Sequence, residues 1–136
     1  MKKGFAPIRT AAPTGDVVGA AKLFFDLANN QGPGSFDKQP ETFRRMVFDN
    51  ARTILLQLLA LRDRPAISCN TLSGLKARTL VVGGDQSPRY ISVINELVAQ
   101  CVPGGRLIVI PRATHLMSYQ KPAEFNQALL DFLAQR

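Results

Sequence analysis

No apolar run in these 136 residues is long enough to cross a bilayer, which takes roughly 20 consecutive apolar residues. The basic start Met1-Lys2-Lys3 is followed by Gly4 to Pro13 without a sustained apolar core. That makes a poor secretory signal, so no membrane association is expected and the expected location is the cytoplasm. Histidine occurs once, at His115, and cysteine only at Cys69 and Cys101. This set is too small and too dispersed to build a zinc site, and neither a metal nor a cofactor is expected. The two cysteines are read as free thiols that pack as small hydrophobes. The chain contains no internal repeat and no low-complexity segment.

Acidic residues are also scarce, and the formal net charge is +7 with a sequence pI of about 10.0. A basic domain raises the question of nucleic-acid binding. The charges are scattered, however, as Lys2-Lys3, Arg44-Arg45, Arg62-Arg64 and Lys76-Arg78. No helix carries a continuous basic stripe, and no aromatics are interleaved to stack on bases. Nucleic acid is therefore not an expected partner, and the charge reads as a solvated surface. With 46% hydrophobic and 20% charged residues, the composition is that of a soluble globular protein.

Read in order, Gly15-Asp16 is a helix start with Asp16 as N-cap. Val17, Ala21, Phe24, Phe25 and Ala28 then recur on one face. Asn29 to Gly34 ends that helix, and Gly32-Pro33-Gly34 reads as a hinge. The Phe24-Phe25 pair suits core packing better than a cleft lining. Pro40 and Glu41 open a helix expected to run unbroken to about Leu61, with Phe43, Val47, Ile54, Leu55, Leu58 and Leu59 on its apolar face. Arg62 to Pro65 stops it, and Ala66 to Leu75 is a connector. Thr79 to Val82 is a β-branched run of the kind found in parallel sheets covered on both faces. Ser87 is placed to cap the following helix, whose inner face is Ile91, Ile94, Leu97, Val98 and Cys101. Pro103-Gly104-Gly105 turns the chain into a second strand, Leu107 to Ile110, and the strand-helix-strand order makes the two strands parallel. Lys121-Pro122 opens the last helix, with Phe125, Leu129, Phe132 and Leu133 facing the sheet.

The final third carries the chemistry. It reads T-L-V-V-G-G-D-Q-S-P, then a helix, then R-L-I-V-I-P-R-A-T-H, then K-P-A-E-F-N. The single histidine falls in a loop just past the second strand, and open α/β sheets keep their reactive groups at the carboxyl ends of strands. In order and spacing this stretch resembles the C-terminal end of an α/β-hydrolase: the last two strands, the catalytic-histidine loop and the final helix. Upstream, G-D-V-V-G-A-A-K-L-F-F-D and P-E-T-F-R-R-M-V-F-D-N-A resemble the helical lid inserted between the sixth and seventh strands of that family. The implied fold class is α/β, a C-terminal fragment of an α/β-hydrolase with two parallel strands, flanking helices and a lid segment. Residues 1–75 form the lid or cap, and residues 76–136 the strand-helix-strand-helix part.

The resemblance implies His115 as general base. The position that matches the family acid, just before Pro88, holds Ser87, which leaves Asp85 as the candidate acid. The alternative reading of Asp85 is a loop residue bonded to the backbone of Gln86 to Pro88. Two further departures are Arg78, where relatives usually carry proline, and Arg112 and Thr114, where they often carry glycine. A nucleophilic serine sits in a G-x-S-x-G turn in this family. None of Ser35, Ser68, Ser73, Ser87, Ser92 and Ser118 has that setting, and the nearest approach, Thr71-Leu72-Ser73-Gly74-Leu75, does not follow a strand.

The expected function is therefore hydrolysis of an ester or related acyl bond of a small apolar substrate, with no activity in this chain alone. Two parallel strands leave an edge that invites pairing with another chain. The expected partners are a second copy of the chain or a complementing N-terminal half. The alternative is a non-catalytic module that binds a partner protein or an apolar ligand.

Overall fold

A computed structural model describes residues 15–60 and 66–135, apart from the side chains of Ile54, Leu55, Leu58 and Leu59. The helix stop expected at residues 62–65 and the apolar face expected at those four side chains lie outside the described residues. The chain divides into two compact units, Met1–Pro65 and Ala66–Arg136.

The first unit is helical. Helix α1 (Val17–Asn29) starts where expected, with Asp16 Oδ1 accepting from the Gly19 N–H at 2.8 Å. It buries Ala20, Ala21, Phe25 and Asn29. A 3-10 turn at Phe36–Lys38 follows, then α2 (Glu41–Asp49) and α3 (Ala51–Ala60). The core is aromatic: Phe25 meets Phe36 and Phe43 edge-on at ring separations of 5.1 and 5.3 Å, and Phe36 meets Phe48 at 5.2 Å. Such pairs add about 1 kcal/mol each beyond area burial. Phe25 is core, and Phe24 is half-buried.

Two expectations need correction in this unit. The single long helix is two helices, because Asn50 interrupts it. The Asn50 side-chain amide donates to the Met46 carbonyl at 2.8 Å, while its backbone N–H turns to Val47 O at 3.2 Å. A short amide side chain thus takes the acceptor that helix continuation needs. The Gly-Pro-Gly stretch is pinned, not a free hinge. One carboxylate, that of Asp26, accepts from Gly34 N at 2.7 Å, Ser35 Oγ at 2.6 Å and Phe36 N at 2.9 Å.

The second unit begins with the one-turn helix α4 (Cys69–Leu72) and continues β1 (Leu80–Gly84), α5 (Arg89–Cys101), β2 (Arg106–Ile110), the short helix α6 (Met117–Gln120) and α7 (Pro122–Ala134). The strands pair in parallel, from Leu80 opposite Arg106 to Gly84 opposite Ile110. Alternation along β1 puts successive residues on opposite faces. Val82 packs with Ile110, Ala113, Met117 and Phe125 of α7, whereas a Cβ on Gly83 would meet Asn95 of α5. Helices α5 and α7 therefore cover opposite faces of the pair.

Their apolar stripes are wider than the sheet. Ile94, Leu97 and Leu133 are exposed by 50, 52 and 61%, and Leu129 by 39%, although all four were expected to face inward. Two strands spaced about 4.8 Å apart cannot cover the flank of a helix about 10 Å across, so part of each stripe overhangs.

The cysteines are also corrected. Cys69 and Cys101 form a disulfide, with Cα atoms 5.0 Å apart, across a separation of 32 residues. It joins the first residue of α4 to the last residue of α5.

Candidate functional site at the carboxyl ends of the two strands

The loops leaving β1 and β2 are laced together. Asp85 N donates to Ile110 O at 3.2 Å, and Gln86 N donates to Ala113 O at 2.9 Å. The Asp85 carboxylate accepts from Ala113 N at 3.3 Å. This bond replaces the local contacts to Gln86 and Pro88 considered from sequence, and it ties the acid to the histidine loop two residues ahead of His115. Gly84 makes the approach feasible: a Cβ there would overlap the carbonyl oxygens of Ala113 and Thr114.

The histidine loop is held from its other side by Gln120, whose Oε1 accepts from Thr114 N at 2.8 Å and Thr114 Oγ1 at 3.0 Å. Thr114 Oγ1 in turn accepts from Leu116 N at 3.2 Å. Arg112 turns the chain with φ 55°, a left-handed conformation that glycine adopts more easily. The loop thus takes a glycine-like shape at Arg112, a position where the resemblance implied glycine. Ala113 and Thr114 are buried. Neither Gln120 nor the Ala113 N–H stands out in sequence, since nothing local marks a glutamine as a loop anchor.

No family model matches the chain. Among solved structures, it is similar to Est816, described as an N-acyl homoserine lactone degrading enzyme. The two are 26% identical with a TM-score of 0.63, over 96% of this chain and 52% of that one. It is also similar to MGS-M2, described as an alpha/beta hydrolase enzyme from a Medee basin deep-sea metagenome library. Here identity is 17% and the TM-score 0.67, over 99% of this chain and 51% of that one. The chain spans about half the length of either.

The chain has the fold of part of an α/β-hydrolase.

Within this α/β-hydrolase-like fold, His115 and Asp85 sit on adjacent, hydrogen-bonded loops, but no hydrogen bond joins their side chains. His115 is exposed, yet protein packed beside the ring desolvates it and pushes its pKa below 6.5. Serines near the connector serve as local caps: Ser68 Oγ accepts from Thr71 N at 3.2 Å, and Ser73 Oγ donates to Asn70 O at 2.8 Å.

Ser87 follows β1 but does not cap α5 as expected. Pro88, extended at ψ 139°, occupies the cap position, and Ser87 Oγ is buried without a hydrogen-bond partner. Among the described residues no cluster of three His, Cys, Asp or Glu side chains is placed to hold a metal, and no helix is long and apolar enough to cross a membrane.

Proposed function

We propose that this chain supplies the proton-accepting half of a hydrolase for an ester or related acyl bond, with His115 as general base and Asp85 as its acid partner. The observation that carries this reading is the Asp85–Ala113 hydrogen bond, which ties the two loops together beside the only histidine. In a hydrolytic triad a carboxylate beside the histidine holds the imidazole in the working tautomer, and Asp85 is the carboxylate on the neighbouring loop. Similarity to an enzyme described as degrading a lactone, which is a cyclic ester, supports the acyl-bond class. The helical unit is read as the lid over a small apolar substrate. Without a G-x-S-x-G turn the chain lacks the attacking hydroxyl and is inactive alone.

The test is an acyl-ester assay on the chain alone and on the chain mixed with the strand-rich N-terminal half of an α/β-hydrolase. The expected result is no turnover alone, turnover in the mixture, and at least a roughly thousandfold loss with His115→Ala. Turnover by the chain alone, or a mixture indifferent to His115→Ala, overturns the proposal.

A second reading is favoured by the overhanging side chains Ile94, Leu97, Leu130 and Leu133 and by Val109, which is exposed by 52% on β2. They suit a non-catalytic module that binds another polypeptide, either a second copy or the complementing half. Light scattering that finds only a monomer up to high concentration, with the complementing half also present, removes that reading.

A further inference from the structure

The Cys69–Cys101 disulfide spans a place where little else holds the chain. It fastens the connector at residues 66–75 to the carboxyl end of α5. None of the side chains of the connector is buried; only Leu72 is even half-buried. Its hydrogen bonds close on themselves: Leu72 N to Ser68 O, Ser73 N to Cys69 O, Leu75 N to Leu72 O and Ser73 Oγ to Asn70 O. A four-residue helix has no stability of its own in water. The disulfide is thus the main restraint on a segment through which the chain passes from the helical unit to β1.

We propose that this disulfide is a redox-controlled tether: reduction frees the connector while the strand pair and its two helices stay folded. The Cys69 residue is exposed and Cys101 is half-buried, which favours Cys69 Sγ as the point of attack. The co-reactant is a dithiol. One of its thiolates attacks Cys69 Sγ, the Sγ–Sγ bond breaks, and Cys101 leaves as a thiolate that takes up a proton. The second thiol of the reductant then displaces Cys69 from the mixed disulfide. Two electrons and two protons pass to the protein, and the reductant leaves as its own disulfide. Reoxidation reverses the process. The core of the second unit, around Ile110, Ala113, Met117, Val82 and Phe125, contains neither cysteine and is independent of the bond.

The test is amide hydrogen exchange on the full chain, oxidised and after treatment with dithiothreitol. Reduction is expected to speed exchange at Leu72, Ser73 and Leu75 by about tenfold or more, and to leave β1 and β2 unchanged. Cys69→Ser and Cys101→Ser are expected to show the fast pattern with or without reductant. Three results overturn the proposal: equal exchange in both states of the wild-type chain, alkylation of both cysteines without reductant, or loss of strand protection at the dose that frees the connector.

Discussion

The guanidinium of Arg78 lies 5.0 Å from the ring centroid of Phe132 and donates to the Phe132 carbonyl at 3.3 Å and to the Gln135 carbonyl. A residue ahead of β1 thereby caps the carboxyl end of α7, where helix carbonyls lack partners and the dipole favours a cation. A proline at this position, which the resemblance implied, could not make these contacts. Arg78→Ala is expected to cost about 1 kcal/mol in urea unfolding. Arg78→Lys is expected to recover less than half of that, because an ammonium cannot both stack and fork.

Among the described glycines, Gly84 is where a Cβ would come closest to other backbone atoms. Its would-be Cβ runs into the Ala113 and Thr114 backbone, which cannot swing aside as a flexible side chain can. Gly84→Ala is expected to destabilise the second unit by more than about 2 kcal/mol and to separate the two loops. Gly74→Ala is the control, since its Cβ would meet only Thr71 O, at an ordinary 3.5 Å. Thermal unfolding of the two variants side by side is the measurement.

Desolvation holds the His115 pKa below 6.5. Between the folded value and 6.5 the unfolded chain therefore binds more protons than the folded one. Stability is full above 6.5 and falls as pH drops through that window. An NMR titration of the imidazole is expected to show a midpoint below 6.5, and His115→Gln to flatten the pH dependence of unfolding across it. A midpoint at or above 6.5 contradicts the crowding of the ring.

Much of the architecture was legible because its signals are local. Asp16 caps the helix that it precedes, Pro122 opens the one that it enters, and the β-branched runs ending at Gly84 and Ile110 are the two strands. What escaped depends on contacts between distant residues. Asn50 breaks a helix through one side-chain bond to Met46, although nothing in the apolar pattern is interrupted there. Cys69 and Cys101 carry no spacing that announces a bond, and only the fold brings them within reach. The site was legible in the same uneven way. The place of His115 after a strand could be read directly, but the attachment of Asp85 to Ala113 and the grip of Gln120 on Thr114 arise only once two loops lie side by side.

The placement of α5 and α7 on opposite faces of the strand pair limits how the sheet can grow. Both broad surfaces are already roofed, so an incoming strand must slot in along a rim, through main-chain pairing beside Leu80–Gly84 or Arg106–Ile110. The overhanging leucines and isoleucine then act as eaves that would shelter the newcomer from water.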